Sequence, residues 1–362
     1  MKNNYVPKIS FLLLNWNGLN FTKKCVRSLL KTKYPNFEII IVDNGSDKDE
    51  AKILEKEFKQ SIKVIRNIKN LGYAAGMNTA IKNCVGSYVM LLNNDMDFED
   101  NWLMPLVKIL ENNSKIAACQ PKIKDLRNKK MFEHGGASGG FQDFLGYPFA
   151  RGRVFSFIEK DLGQYDNPIK ISWCGVMLVR KKVLDKIGYF KSIYFNYGED
   201  MDLCYRIYGI GYQIFSVPQS IVYHFGGGSL KKDMKRKFFY HHRNNIIYLL
   251  VNYPLLVLVI ILLPRILMDF TTIFYYLVTG YPSFSIIVIK AYFSIVILLP
   301  HIFKERRKTQ KILLQDSLKF MPIYKGSIVL DYFLFNKRTF ADILRNNPSF
   351  KNSIFNNLYE IK

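Results

Sequence analysis

Residues 37–46 read Phe37-Glu38-Ile39-Ile40-Ile41-Val42-Asp43-Asn44-Gly45-Ser46: an apolar run of strand length that stops abruptly at a polar cluster of turn-forming residues. The pattern recurs. Residues 9–14 are apolar and give way to Asn15-Trp16-Asn17, and residues 88–92 give way to Asn93-Asn94-Asp95-Met96-Asp97, while 62–65 form a further short apolar run. Between these runs lie segments of helix length at 19–33, 49–59 and 74–83. Strands alternating with helices at this spacing predict a parallel sheet with helices on its faces. In such a sheet ligands bind beyond the carboxyl ends of the strands, the edge where all three polar clusters fall.

Each cluster has a plain structural reading. Asp43 to Asp47 could be a turn and helix cap. Its functional reading is that Asp43 accepts a hydrogen bond from the imide N–H of a pyrimidine base, with Asn15, Asn17 and Asn44 beside it. Asn70-Leu71-Gly72-Tyr73-Ala74-Ala75-Gly76-Met77-Asn78 reads as a loop entering a helix, where free N–H groups face an anion. The GxGxxG dinucleotide fingerprint is absent, which argues against a nicotinamide or flavin enzyme.

Asn93, Asp95 and Asp97 occupy alternate positions and share one face for as long as strand geometry lasts. Mg²⁺ or Mn²⁺ takes one or two protein carboxylates and completes its shell with phosphate oxygens and water. Asp95 and Asp97 are therefore candidate ligands, and His224, ahead of Phe225-Gly226-Gly227-Gly228-Ser229, is a third. Its bland reading is a packed core histidine. Glu199-Asp200 follows the aromatic stretch Tyr194-Phe195-Asn196-Tyr197. A carboxylate in such surroundings has the raised proton affinity that a general base for a sugar hydroxyl requires. Asp202 and Arg206 are spaced for an ion pair within one helix.

The composition bounds the rest. The 362 residues are 49% hydrophobic and carry a formal charge of +23, enough for a large core plus a lipid-facing part, with a preference for acidic partners. Nucleic acid is disfavoured, because the cations are dispersed and no recognised binding motif is present. Five scattered cysteines without metal-ligand spacing read as reduced core residues of a cytosolic compartment. The early apolar run is too short for a signal peptide.

Beyond residue 245 the chain turns apolar. Lys231, Lys232, Lys235, Arg236 and Lys237 precede this run and Lys304, Arg306, Arg307, Lys308 and Lys311 follow it. Both flanks are thus expected on the cytoplasmic leaflet, held by anionic lipid. An even number of crossings, or none, follows. The preferred reading is a hairpin of a bent helix near 254–279 and a second near 284–302; helices lying flat in the interface and buried soluble helices are the alternatives. The expected organisation is a catalytic domain over 1–230, a basic juxtamembrane linker over 231–245, a membrane-associated helical hairpin over 246–303 and a basic tail over 304–362.

Taken in order, IVDNGS at 41–46, NLGYAAGMN at 70–78, LLNNDMD at 91–97, Trp102, CGVMLVRK at 174–181, FNYGEDMDLCYRIYGIGY at 195–212 and VYHFGGGS at 222–229 resemble the inverting family 2 glycosyltransferases of GT-A fold, in particular their rhamnosyltransferase-like branch. The resemblance covers roughly residues 8–245. It implies an α/β domain with a mostly parallel, Rossmann-like central sheet and a UDP- or dTDP-sugar donor. It further implies Asp43 on the base, Asp95 closing the metal-binding triplet, His224 on the metal, Asp200 as catalytic base and Glu199 against the acceptor. The triplet here is Asn93-Asn94-Asp95 rather than Asp-x-Asp. Processive members carry Gln-x-x-Arg-Trp where this chain has His241-His242-Arg243-Asn244, so a non-processive transfer to a lipid-linked or membrane-close glycan is expected. The alternative is a non-catalytic scaffold that keeps the fold.

Overall fold

Runs that are apolar apart from Ser10 and Glu38 at 9–14, 37–42 and 88–92 suit strands covered by helices on both faces. The structure is a computed structural model that describes residues 6–133, 135–226, 234–314, 317–345 and 347–355. In it β1 (Ile9–Asn15), β2 (Phe37–Asn44), β3 (Lys63–Asn67) and β4 (Tyr88–Leu92) run parallel in the spatial order β3-β2-β1-β4. They are linked by α1 (Leu19–Leu29), α2 (Glu50–Phe58) and α3 (Gly72–Lys82). Strand alternation divides the core in two. Phe11, Leu13, Ile39, Ile41 and Met90 pack with α1 residues such as Cys25 and Val26. Leu12, Ile40, Val42 and Leu91 pack with Ala74, Met77 and Ile81 of α3 on the other face. Helix α1 stops at Leu29, short of residue 33, with Leu30 and Lys31 continuing as turn ahead of Pro35, which disfavours helix in the residue before it.

The sheet becomes mixed beyond β4. After β5 (Met96–Phe98), α4 (Leu103–Asn112) and β6 (Ile116–Asp125) come four short strands, β7 (Gly140–Asp143), β8 (Pro148–Ala150), β9 (Arg153–Val154) and β10 (Phe157–Ile158). The chain returns through β11 (Ile169–Lys170), β12 (Met177–Arg180), α5 (Lys181–Ile187), α6 (Glu199–Gly209) and β13 (Gln213–His224). The main sheet has the order β11-β13-β6-β12-β4-β1-β2-β3, with β5 on β13 and β12 antiparallel to both neighbours. The β13–β6 register shifts between Val217 and Ile221, around Pro218, which has no N–H for the ladder. Past the shift His224 comes level with Asp125 and Met96.

The carboxyl-terminal part departs from the expected organisation. From Met234 the segment read as a linker is helix, α7 (Met234–Asn252), and the apolar residues that follow 245 enter the core of the catalytic unit: Ile246, Ile247, Tyr248, Leu249 and Val251 are buried. Lys231 and Lys232 lie outside the described residues. α8 (Leu255–Val278) and α9 (Pro282–Ile312) are each long and apolar enough to cross a membrane by length and composition. The tail folds back on the catalytic unit. β14 (Ile323–Tyr324) adds to β7 as the edge of a five-stranded sheet, and Phe340 and Phe350 pack on Phe141 and Phe149.

Candidate active site

The strand register builds the first part of the site. Asn15 and Asp43 are direct partners at the ends of β1 and β2, so their side chains meet: Asn15 Nδ2 donates to Asp43 Oδ1 at 3.0 Å and to Glu50 Oε2 at 2.9 Å. Ser46 Oγ also donates to Asp43 Oδ1, at 2.5 Å. Asn15 Oδ1 accepts from Thr22, whose hydroxyl accepts in turn from Asn94 Nδ2 at 2.9 Å. A buried polar relay thus ties the ends of β1, β2 and β4. Asn17 is bound to the same turn, its Nδ2 donating to Asp47 at 2.8 Å.

Asn44 is occupied differently. Its amide donates to Asn70 Oδ1 and to the Gly72 carbonyl, and accepts from Asn67 and the Leu71 N–H. It staples β2 to the loop that opens α3. Asn70 accepts from the Gly72 N–H at 2.8 Å. At Gly72, φ is +76° and a Cβ would lie 2.5 Å from the Phe195 carbonyl oxygen, so only glycine fits. Asn78 exchanges two hydrogen bonds with the Phe190 backbone, at 2.8 and 2.9 Å. The structure therefore engages Asn44, Asn70 and Asn78 in holding the loop over α3.

The strand alternation read over 93–97 breaks. β4 ends at Leu92, Asn94 and Asp95 form a turn, and the chain restarts as β5 on β13. Asp95 Oδ1 accordingly lies 2.9 Å from His224 Nε2, with Asn93 Nδ2 at 3.2 Å from the same nitrogen, whereas Asp97 turns to accept from Ser28 Oγ at 2.5 Å. Asp95 and His224 are brought together, and Asp97 is not. The sequence reading missed Glu133, whose Oε2 lies 2.7 Å from His224 Nδ1. The residue sits just past β6 with no spacing to mark it; its neighbour Gly135, which donates to the same carboxylate, is the one local cue. Burial opposes a charge on His224, but hydrogen bonds from the ring to Asp95 and Glu133 overcome this and raise its pKa to about 10.

Among the described residues no cluster of three or more His, Cys, Asp or Glu side chains is arranged to enclose a metal. Asp95 and His224 present one oxygen and one nitrogen, and Glu133 backs the ring as carboxylates commonly back a ligating histidine. That donor set fits a Mg²⁺ or Mn²⁺ ion that draws its remaining ligands from a diphosphate and water. Gly227, Gly228 and Ser229, which follow His224 in the sequence, lie outside the described residues.

Glu199 and Asp200 open α6. Burial pushes the Asp200 carboxyl up to about 6, against the backbone N–H groups that favour its anion. Burial and the neighbouring Asp200 charge push Glu199 well above the usual carboxylate range. Glu199 Oε2 is buried with no hydrogen-bond partner among the described residues. The pair connects to the histidine across two glycines. A Cβ at Gly175 would lie 3.5 Å from Asp200 Oδ2 and 3.7 Å from the Gly135 carbonyl oxygen; one at Gly135 would lie 3.8 Å from His224 Nδ1. The acid pair and the histidine are thus neighbours with only two glycines between them.

The loop that delivers this pair is strained and clamped. Phe195 has φ 62° and ψ −68°, with Asn196 N–H bonded to the Tyr194 carbonyl at 2.7 Å, a tight γ-turn of the unfavourable hand. Asn244 of α7 donates to the carbonyls of Tyr194, Asn196 and Tyr197, and Arg243 to those of Ile193 and Tyr194. These two residues, noticed in the sequence only as the place of a missing motif, hold the approach to the acid pair. Below it Asp202, fully buried, bonds Lys191 and Arg206 at 2.6 and 2.7 Å.

Residues 10–188 match the Glycosyl transferase family 2 profile. The chain is 27% identical over 229 residues to the O-antigen biosynthesis protein RfbC of Myxococcus xanthus, covering 60% of this chain and 17% of that one. It spans less than half the length of the first curated relatives it matches. Among solved structures it is similar to GalNAc-T7 with UDP, GalNAc and Mn²⁺, with a TM-score of 0.54 and 19% identity over 69% of this chain and 48% of that one. It is also similar to the mannosyltransferase PcManGT of Pyrobaculum calidifontis in complex with GDP-Man and Mn²⁺, with a TM-score of 0.50 and 13% identity over 92% of this chain and 89% of that one. The chain thus carries, over residues 10–188, a glycosyl transferase family 2 domain, built as a GT-A fold with a mixed, mostly parallel sheet.

Proposed function

We propose that the protein is an inverting, non-processive glycosyltransferase that moves a sugar from a UDP- or dTDP-sugar to a hydroxyl of a lipid-linked or membrane-close glycan on the cytoplasmic face. The observation that carries the reading is the closeness of Asp200, beside Glu199, to His224 and Asp95, with only Gly175 and Gly135 between them. Asp43 is the acceptor for the N–H of a uracil or thymine ring, steadied by Asn15 and Ser46. Asp95 and His224 would hold Mg²⁺ or Mn²⁺, which when bound neutralises charge on the donor diphosphate. Asp200 takes the proton of the acceptor hydroxyl. The oxygen then forms a bond to the anomeric carbon as the carbon–diphosphate bond breaks, its electron pair leaving with the nucleoside diphosphate. Glu199, whose proton affinity is raised by burial and by its charged neighbour, orients the acceptor. Attack opposite the leaving group inverts the anomeric centre, and no covalent enzyme intermediate is needed.

A non-processive reading is supported by residues 241–244, where Arg243 and Asn244 are spent on loop carbonyls. dTDP-rhamnose and the UDP-hexoses are the first donors to try. The test is transfer across a panel of nucleotide sugars, with Mn²⁺ and then chelator, with the product's anomeric configuration read by NMR. Inverted product that disappears with chelator is expected; retained configuration, or donor binding without transfer to any acceptor, overturns it and leaves the scaffold reading.

A further inference from the structure

The three helices that follow the catalytic sheet lie side by side. At the start of α7 the Phe238 ring is 5.1 Å from Phe284, which begins α9, and 5.4 Å from Tyr276, which ends α8. At the other end Arg306 of α9 donates to the carbonyls of Leu250 and Tyr253, at 2.7 and 2.8 Å. Between them Arg265 of α8 donates to Asn245 of α7 at 3.0 Å and to the Leu145 carbonyl at 3.1 Å, and it lies over the Tyr147 ring. Asp269 accepts from Tyr147 and from Tyr292 of α9. The helices therefore run up, down and up along the flank of the catalytic unit, pinned at both ends and in the middle.

This arrangement conflicts with a hairpin that crosses the bilayer. The turn between α8 and α9 stands level with the start of α7, beside Lys235, Arg236 and Lys237. Sinking the turn to the far leaflet would submerge those cations and α7, whose Arg243 and Asn244 are fastened to the active-site loop. Lys290, exposed on α9, would also sit near mid-depth, at a cost of roughly 2.5–3.5 kcal/mol. Yet the outward faces are strongly apolar. Leu256, Leu263, Leu267 and Phe274 recur on one side of α8, and Ile289 and Phe293 on α9, all more than half exposed. Exposed Lys304, Arg307, Lys308 and Lys311 follow at the end of α9.

We propose that α8 and α9 lie in the plane of a single leaflet of an anionic bilayer, apolar faces at the boundary of headgroups and acyl chains, without crossing it. Lys290 and the cations at the end of α9 reach headgroup phosphates, as amphipathic in-plane helices do. The hairpin turn lies at the end where Tyr240 of α7 stacks on Phe195, so a lipid-borne acceptor diffusing in that leaflet meets the loop leading to Asp200. This deepens the membrane-close acceptor reading above and rests on it.

Depth-dependent quenching tests the arrangement on the full chain. The five native cysteines are buried, so a fluorophore goes selectively onto Leu256→Cys, Leu263→Cys or Phe274→Cys. The probe is a vesicle of equal phosphatidylcholine and phosphatidylglycerol, with bromine near the headgroup or near the chain end of the lipid. The same shallow depth at all three positions, with binding lost when phosphatidylglycerol is omitted, is expected. Leu256 and Phe274 are 18 residues apart, so a crossing helix would separate their depths by about 27 Å; such a gradient overturns the proposal. Labels reached equally by aqueous iodide with and without vesicles also overturn it, leaving the face to another protein. Mn²⁺-dependent UDP binding by the labelled proteins reports on the catalytic reading separately.

Discussion

His224 Nδ1 and Glu133 Oε2 lie 2.7 Å apart, so the ring is fixed with its Nε2 toward Asp95. An orienting carboxylate of this kind typically contributes 10–100-fold to metal affinity. Glu133→Gln is expected to weaken Mn²⁺ binding to the UDP complex by about that factor, measured by Mn²⁺ electron paramagnetic resonance, with the fold unchanged by circular dichroism. Unaltered affinity would show that Glu133 only fills space.

Asp200 must be ionised to take a proton, and burial holds its carboxyl at about 6. Transfer is therefore expected to rise with pH up to about 6 and to level above it. Asp200→Asn should remove roughly 10²–10⁴-fold of kcat and abolish that limb. The sign for stability is opposite to that of a salt-bridged carboxylate. A raised folded pKa means the native state binds the extra proton, so stability is lost as pH rises from the unfolded value through 6. Asp200→Asn should then melt at or above the wild-type temperature at neutral pH; a lower Tm would contradict the burial argument.

Asn244 holds three carbonyls of the strained loop. Asn244→Leu keeps the branched shape and frees the carbonyls, and the expected loss is roughly ten- to a hundred-fold in kcat, since small misplacements of a reacting group cost about that much. Donor KM should stay constant, because Asp43 and Asp95 are on other elements. Equal loss in kcat and donor binding would point to a general unfolding of the site.

Asp202 is buried between Lys191, Arg206, Tyr194 and Asn252. Removing one partner of such a network leaves buried cations uncompensated, at about 3–5 kcal/mol. Asp202→Asn should lower stability by that order in urea unfolding, while Asp200→Asn does not, although the two residues share the first turn of α6.

Much of this was visible in the sequence. The runs at 9–14, 37–42 and 88–92 announce inner parallel strands because strands buried on both faces read as nearly continuous apolar runs, here broken only by Ser10 and Glu38, and polar residues crowd where such strands end. The pairing of Asp202 with Arg206 follows from helical spacing alone. Asp97 did not follow, because strand alternation was carried through Asn94 and Asp95, where the chain turns. Glu133 and Asn244 were hidden for another reason: each acts on a partner more than 40 residues away, and no local period records such contacts. In the carboxyl-terminal helices, composition records length and apolarity but not which side meets the domain; the polar cluster of Arg265 and Asp269, which reads as an interruption, is where α8 bonds Asn245 of α7, Tyr292 of α9 and Tyr147.

Calorimetric titration of UDP with Mn²⁺ into the wild-type protein and into Asp43→Ala, Asp95→Ala and Asp200→Asn tests the central claim most directly. Donor recognition by Asp43 and Asp95 and proton removal by Asp200 predict that the first two variants lose binding, whereas Asp200→Asn binds UDP as the wild type does and transfers sugar roughly 10²–10⁴-fold more slowly. Undiminished UDP binding by both Asp43→Ala and Asp95→Ala, or full transfer by Asp200→Asn, would contradict it.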